Sequence, residues 1–92
     1  MALRVEFTPT GWEDYCYWVD NDREKVARIH ELVKDIARDP FRGLGKPEPL
    51  RHELAGFWSR RIDGEHRLVY TVEGDRKNRK VVVLMCRYHY DR

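Results

Sequence analysis

Hydrophobic and polar positions change their spacing along the chain, and each spacing predicts a different element. Residues 3–7 (LRVEF) alternate between apolar and charged, which predicts a short half-buried strand. Apolar residues then recur at helical spacing in two stretches. The first stripe is Trp12, Tyr15, Cys16 and Val19, and the second is Val26, Ile29, Val33, Ile36 and Ala37. The first half of the chain is therefore expected to form a strand and a helical hairpin.

Local signals predict the limits of the two helices. Thr10, three residues before Glu13, forms a capping box that predicts the start of the first helix. Asn21 with Glu24 predicts the start of the second helix in the same way. Asp39-Pro40 predicts its end, because the residue before a proline disfavours helical backbone.

The segment after the second helix has a different composition. Residues 40–49 (PFRGLGKPEP) contain two glycines and three prolines. That density excludes both helix and strand, because glycine weakens regular backbone and proline removes a hydrogen-bond donor. A stiff, ordered loop is expected there.

Alternation returns in the second half of the chain. Residues 57–62 (FWSRRI) and 66–72 (HRLVYTV) are predicted strands, joined by a D-G dipeptide that is typical of a hairpin turn. A polar, basic connection, residues 73–80 (EGDRKNRK), leads to residues 81–90 (VVVLMCRYHY). That last segment contains no breaker and predicts one long strand. Three consecutive strands with short connections form an antiparallel meander.

The predicted fold class is α+β, in the order β-α-α-β-β-β and in a single domain over residues 1–92. One small antiparallel sheet is expected to carry the helical hairpin on one face, with the N-terminal strand at one edge. No second layer of chain remains to cover the other face of the sheet. A ligand or partner is therefore expected on that face.

Strand alternation predicts which side chains share each face of the sheet. Val83, Met85, Arg87 and His89 are expected on one face, and Leu84, Cys86, Tyr88 and Tyr90 on the opposite face, towards the core. The first set becomes polar towards the chain end. Arg61, Arg67, Arg87 and His89 are therefore expected to converge on the open face, near one end of the sheet.

Charge is unevenly distributed along the chain. The net charge is +2, but residues 1–45 hold seven Lys/Arg against nine Asp/Glu, and residues 46–92 hold eleven against seven. The whole basic surplus thus lies in the second half, which suits a polyanionic or acidic partner. A solvated charged face would show the same asymmetry.

Several classes of site are disfavoured by the motifs that the sequence lacks. The two cysteines form no C-x-x-C pair, which argues against a disulfide scaffold or a zinc site. Cys86 and His89 are three apart on a predicted strand and would face opposite ways, so no metal and no cofactor are expected. Neither a G-x-S-x-G motif nor a glycine-rich phosphate loop occurs. With no signal peptide and no long apolar run, we expect a cytoplasmic protein without a membrane contact.

Acid–base chemistry around a cluster of cations remains. RNA can be cleaved without a cofactor when its 2′-hydroxyl attacks the adjacent phosphate, provided that a base, an acid and cations are in place. Glu48, between Pro47 and Pro49, and His89 are suited to proton transfer, and Arg67 to holding phosphate. Tyr88, Tyr90 and Trp58 offer rings on which bases can stack.

Structural roles for the same residues stay open at this point. Glu48 fits an ordinary loop glutamate, Arg67 a cross-strand ion pair, and His89 a capping or interface histidine. The aromatic residues fit a hydrophobic core. The residues alone thus support a small mixed domain with a basic open face.

Four motifs carry a resemblance to a known family. GKPEPL (45–50), GFWSRRI (56–62), EHRLVY (65–70) and CRYHY (86–90) occur in this order, and W-x-D-Y-x-Y-W spans residues 12–18. Together they resemble the YoeB (Txe) toxins of bacterial toxin–antitoxin pairs, within the RelE/ParE superfamily. The resemblance implies a RelE-like fold, similar to that of microbial ribonucleases. It also implies a metal-independent endoribonuclease that cuts mRNA in the ribosomal A site and inhibits translation.

The resemblance also implies site residues and partners. The catalytic set would be Glu48, Arg67, His89 and Tyr90, with RNA bound by the neighbouring Lys46, Arg51, His52 and Arg61. Arg87 joins the RNA-binding set from its expected place on the open face. The implied partners are a YefM-like antitoxin, whose C-terminal segment covers the site, and a second copy of the toxin. With its antitoxin, the toxin would act as a co-repressor on operator DNA.

Glu48 is assigned as general base and His89 as general acid, although the two roles can be exchanged. Arg67 would stabilise the phosphate, and Tyr90 would orient the substrate or stack on a base. One rival function is a ParE-like toxin that blocks DNA gyrase by binding alone, a branch not known to need the glutamate, arginine and histidine set. A DNA-binding co-repressor without catalysis is a second rival, but no helix-turn-helix signal supports it.

Overall fold

Two helices pack on a five-stranded sheet. The computed structural model describes residues 2–89. The elements in chain order are β1 (Arg4–Phe7), α1 (Pro9–Asn21), α2 (Arg23–Arg38), β2 (Glu48–Pro49), a 3₁₀ turn (His52–Leu54), β3 (Trp58–Arg61), β4 (Arg67–Glu73) and β5 (Lys80–Met85). The predicted α+β class, with a helical hairpin on one face of the sheet, is confirmed.

The sheet has the strand order β1-β5-β4-β3-β2. The N-terminal strand joins an edge as predicted, but β1 runs parallel to β5, with Val5 opposite Val81. The other pairs are antiparallel. The short strand β2 was not predicted, because proline-rich segments rarely pair. Pro49 is tolerated there because β2 is an edge strand, where a missing N–H disrupts no second neighbour.

Both helix starts lie close to their predicted positions, but different residues cap them. Thr8, not Thr10, caps α1, since its Oγ1 accepts a hydrogen bond from the Gly11 N–H at 3.0 Å. Pro9 follows as the first helical residue, where the lost N–H has no intrahelical partner anyway. Asp22, not Asn21, caps α2. The predicted end of α2 before Asp39-Pro40 is confirmed.

Helix α1 presents only part of its predicted apolar stripe to the core, since Tyr15 packs against the core but other members of the stripe do not. Trp18 is buried, whereas Trp12 and Val19 are about half exposed. Gly11 sets this orientation, because a Cβ at that position would lie 2.6 Å from the carbonyl oxygen of Val83. Gly11 and Trp18 are seven residues apart and so share one face of the helix. Close backbone contact with β5 thus helps to decide how α1 packs, and the hydrophobic stripe alone does not.

The hydrophobic core fills the space between the helices and the sheet. Its fully buried members are Ile29, Leu32 and Ile36 of α2, Leu68 and Tyr70 of β4, Val81 and Val83 of β5, and Cys86. Trp18 of α1 and Ile62 complete the buried cluster. Among the described residues, no helix is both long and apolar enough to cross a membrane.

The last strand is shorter than predicted and contains a bulge. Val83 pairs with Tyr70, but Met85 pairs with the adjacent Val69, so Leu84 is an extra residue. The carbonyl of Leu84 accepts a hydrogen bond from Thr8 Oγ1 at 2.8 Å. The bulge reverses the alternation: Val83 faces the core, and Met85 does not. The predicted continuous strand over residues 81–90, with Val83 on the open face, was therefore wrong.

The face of the sheet opposite the helices is partly covered. Val69 is fully buried and Ser59 nearly so, although both point away from the helical layer. The connection between β2 and β3 contacts this face, since Thr71 Oγ1 on β4 donates to the Gly56 carbonyl at 3.0 Å. The expectation that no part of the chain covers this face was therefore wrong at Val69 and Ser59.

Candidate active site

Glu48 lies at the edge of the sheet with its backbone held in β2. It is exposed, and it sits opposite Ser59 of β3. Ser59 in turn lies opposite Val69, and Val69 opposite Met85, so one row crosses four strands. Directly opposed residues point to the same face, which is the face away from the helices. The prolines on either side of Glu48 limit the freedom of its backbone.

Two arginines lie on that same face, two residues along from the row of Glu48. Arg61 of β3 and Arg67 of β4 are directly opposite each other. A diagonal neighbour on an adjacent strand is about 7–8 Å away, which brings Arg61 within side-chain reach of Glu48. Like charges placed opposite each other repel. An anion between the two guanidinium groups would relieve that repulsion.

Arg67 is nine-tenths buried, yet part of its guanidinium remains available. Its Nη1 donates to the carbonyls of Asp63 at 2.7 Å and His66 at 3.1 Å. Within residues 2–89, Nε and Nη2 make no hydrogen bond. No fully buried side-chain nitrogen or oxygen in that part of the chain lacks a partner, so these two nitrogens reach solvent. A phosphate could bind them in two parallel hydrogen bonds.

The turn that holds Arg67 is organised by Asp63. Its Oδ1 accepts hydrogen bonds from the N–H groups of Glu65 at 2.8 Å and His66 at 2.7 Å, and its Oδ2 pairs with Lys25 of α2 at 3.0 Å. Partial burial would raise the pKa of Asp63, but these hydrogen bonds and the lysine charge outweigh it. They lower the pKa of Asp63 from 3.8 to about 2.

This pKa predicts an acid-sensitive contribution to stability. Because the folded pKa lies below the unfolded one, the stabilisation is complete above about pH 4 and is lost as the pH falls towards 2. Asp63→Asn is expected to cost about 1 kcal/mol at neutral pH, a value reduced by the exposure of about a third of the side chain. Urea unfolding at several pH values measures both effects. Asp20→Asn, on the exposed side of α1, is the control; an unchanged acid profile in Asp63→Asn would contradict the assignment.

The chain after β5 passes beside Arg67. The backbone N–H of Arg67 donates to the carbonyl of Tyr88 at 2.9 Å, and Tyr88 has a left-handed backbone with a φ of 67°. His89 follows directly and is half-buried. The structure therefore brings His89 and Arg67 to the same end of the sheet. Tyr90, the fourth predicted catalytic residue, lies outside the described residues.

Arg87 does not join this site. Its guanidinium carbon lies 3.4 Å from the centre of the Tyr17 ring of α1 and 4.4 Å from that of Tyr88. It is stacked between two rings on the helical side, where cation–π attraction stabilises it. The prediction that Arg87 shares the open face was wrong, because the strand ends at Met85 and regular alternation ends with it.

The other predicted RNA-binding residues follow Glu48 along the chain. Residues 48–54 line an open depression of about 820 Å³, with Arg51, His52 and Glu53 in its wall. Lys46, just before it, is exposed. The backbone N–H of Arg61 donates to the Gly45 carbonyl at 2.7 Å, which ties this segment to β3. Arg51 and His52 thus line the same depression as Glu48, and Lys46 is exposed two residues before Glu48.

Sequence reasoning missed Arg60, the fully buried neighbour of Arg61. Its Nη1 pairs with Asp35 Oδ2 of α2 at 2.6 Å, and its Nε donates to the Tyr70 hydroxyl at 3.1 Å. The remaining hydrogen bonds go to the backbone carbonyls of Asp39, Arg42 and Leu44. Arg60 therefore anchors the loop that leads to Glu48.

Two signals for this buried pair were present in the sequence. Strand alternation through FWSRRI turns one of two adjacent arginines to the core, and Asp35 follows Leu32 by three residues on the apolar face of α2. Burial would raise the pKa of Asp35, but hydrogen bonds from the Leu44 N–H and from arginine outweigh it and lower the pKa.

Among residues 2–89, no three side chains of His, Cys, Asp or Glu are grouped as metal ligands. Burial raises the pKa of Cys86 to about 12, so its thiol does not ionise at neutral pH. The chemical groups that the structure does bring together are a carboxylate, guanidinium groups and an imidazole.

The chain is similar to known proteins over nearly its whole length. Residues 7–90 match the family model of the YoeB-like toxins of bacterial type II toxin–antitoxin systems. A toxin YoeB of Streptomyces coelicolor is 53% identical over 88 residues, which cover 96% of this chain and 100% of that protein.

Solved structures of similar proteins share the whole fold. A YoeB/ParE toxin from Agrobacterium tumefaciens superposes with a TM-score of 0.90 at 44% identity, covering 96% of this chain and 100% of the other. A YoeB dimer from Staphylococcus aureus gives 0.85 at 45% identity, covering 98% and 100%. A YoeB–YefM complex from the same organism gives 0.81 at 44% identity, again covering 98% and 100%.

Proposed function

Since this chain belongs to the family of YoeB-like toxins of bacterial type II toxin–antitoxin systems, we propose that it is a ribosome-dependent endoribonuclease that cleaves mRNA in the A site. One observation carries the proposal. Glu48, Arg61 and Arg67 share one face of the sheet, and the segment that leads to His89 is hydrogen-bonded to Arg67.

In the proposed reaction the RNA 2′-hydroxyl attacks the adjacent phosphorus. Glu48 accepts the hydroxyl proton, and His89 donates a proton to the leaving 5′-oxygen. The products are a 2′,3′-cyclic phosphate, which can be hydrolysed further, and a 5′-hydroxyl end. The step needs no metal, because side chains supply both proton transfers.

The two arginines supply positive charge where negative charge develops on the phosphate. The free edge of the Arg67 guanidinium would hold two phosphate oxygens, and Arg61 would approach from the neighbouring strand. Lys46, Arg51 and His52 would bind RNA around Glu48. Tyr90 would orient the substrate or stack on a base.

The solved relatives support the proposed partners. A YoeB dimer and a YoeB–YefM complex are known for the Staphylococcus aureus protein. We propose that this chain likewise forms a homodimer and is inhibited by a YefM-like antitoxin whose C-terminal segment covers the site. The complex would act as a co-repressor on operator DNA, and the toxin would act in the cytoplasm.

Primer extension on a translated mRNA with purified toxin tests the proposed function. Cuts are expected only within the codon in the A site, and none on the same mRNA without ribosomes. Fragments should end in a 2′,3′-cyclic phosphate or its hydrolysis product. Cuts on free RNA at the same rate would contradict ribosome dependence. An absence of cuts together with inhibited gyrase would favour a ParE-like binding toxin.

A further inference from the structure

The segment between β5 and His89 is held by side chains from distant parts of the chain. Trp18 Nε1 of α1 donates to the Cys86 carbonyl at 2.8 Å, and Asp14 Oδ2 accepts from the Cys86 N–H at 3.0 Å. The N–H of Tyr88 donates to His66 Nδ1 at 2.7 Å. These bonds replace the strand ladder, which ends at Met85.

The side chain of His66 accepts the hydrogen bond from the Tyr88 N–H. It is nine-tenths buried, with its ring edge-on to Trp18 at a centroid distance of 4.8 Å. A backbone N–H can only donate, so Nδ1 of His66 carries no proton and the ring proton is on Nε2. The His66 side chain is thus committed to the backbone of Tyr88 rather than to a substrate.

The backbone of Tyr88 needs such support. A left-handed conformation is unfavourable in a residue with a Cβ and persists only where surrounding contacts impose it. His66 binds the N–H of Tyr88, and the N–H of Arg67 binds its carbonyl. His66 and Arg67, at the start of β4, therefore hold the N–H and the carbonyl of Tyr88.

We propose that His66 is a positioning residue: its Nδ1 sets the conformation of Tyr88 and so places His89 beside Arg67. This inference rests on the proposed function, because it concerns the geometry of that reaction. In this role His66 would touch neither RNA nor the reacting atoms. Its loss should lower kcat while leaving KM unchanged, since the arginines and lysine that bind phosphate are unaltered.

Three substitutions of His66 distinguish the effect of losing the hydrogen-bond acceptor from the effect of losing the packing of the ring. His66→Asn places an amide oxygen close to the position of Nδ1, whereas His66→Gln places its amide at the position of Nε2. His66→Leu offers no acceptor. We expect kcat to fall by about tenfold to a hundredfold in the Leu and Gln variants, and to recover in the Asn variant. Packing alone predicts the opposite order, because glutamine fills the site better than asparagine.

A spectroscopic measurement tests the hydrogen bond without any activity. In ¹⁵N-labelled toxin, a scalar coupling is expected across the bond from the Tyr88 amide nitrogen to His66 Nδ1. The matched substitutions at His30, an exposed histidine of α2 that contacts the Tyr15 hydroxyl, should change neither that coupling nor kcat.

Each outcome decides one question. An Asn variant as slow as the Leu variant, at an equal folded fraction, would overturn the positioning role in favour of ring packing. A rise in KM equal to the fall in kcat would place His66 on the substrate and also overturn it. A missing coupling in wild type would show that the bond is not formed. An inactive wild type with the coupling present would instead overturn the proposed function.

Discussion

Single replacements of Glu48, Arg67 or His89 are expected to slow mRNA cleavage on the ribosome by about a hundredfold or more each. Glu48→Gln keeps the size of the side chain but cannot take a proton. Arg67→Lys keeps the charge but loses the planar pair of donors that fits phosphate. His89→Gln can still form hydrogen bonds but cannot transfer a proton. Primer extension under single-turnover conditions measures the rates.

A modified substrate separates the base from the acid. When sulfur replaces the leaving 5′-oxygen at the cleaved bond, the leaving group departs without a proton. His89→Gln is then expected to cleave nearly as fast as wild type, whereas Glu48→Gln stays slow. The reverse result would exchange the two roles.

Three exposed residues of the same types serve as controls. The control variants are Glu53→Gln, Arg23→Lys and His30→Gln. Glu53 lies in the wall of the same depression as Glu48, and the other two residues lie on α2. Each control should cleave at the rate of wild type. Wild-type rates in all three site variants would contradict the proposed mechanism.

Replacing Arg60 is expected to have the largest effect on stability. Arg60→Met would leave the buried Asp35 without its main cation and would remove the donors to three carbonyls of the loop after α2. Breaking one side of a buried ion pair typically costs about 3–5 kcal/mol. Urea unfolding measures this loss as a lower transition midpoint. Arg61→Met, at the exposed neighbouring position, should change stability by no more than about 0.5 kcal/mol.

A double replacement shows whether the unpaired charge causes the loss. Arg60→Met with Asp35→Leu removes both charges and should recover much of the stability lost in Arg60→Met. Recovery will be incomplete, because Asp35 also accepts from the Leu44 N–H and the loop carbonyls lose their donors. A double variant no more stable than Arg60→Met would show that loop hydrogen bonds, and not the buried charge, dominate.

Much of the candidate site followed from local rules. Period-two alternation predicted that Arg61 and Arg67 share a face, and the structure places them opposite each other. Glu48, Arg51 and His52 lie together simply because they are close in sequence. Arg87 was misplaced, because a rule of alternation cannot anticipate where a strand stops pairing. The proposed role of His66 also needed the structure, since its partner Tyr88 is 22 residues away.

The sequence by itself determined the two helices, the strands other than β2, their order and most of their limits, because hydrophobic periodicity and proline act within a few residues. Only the tertiary structure decided the packing face of α1, the bulge at Leu84, the pairing of β2 and the partner of Arg60. Each of these depends on groups that meet from separate elements: a glycine against a strand backbone, a threonine on a bulged carbonyl, an aspartate against an arginine. Such contacts depend on how whole elements pack against one another. A local pattern of residues does not specify which distant residues will meet.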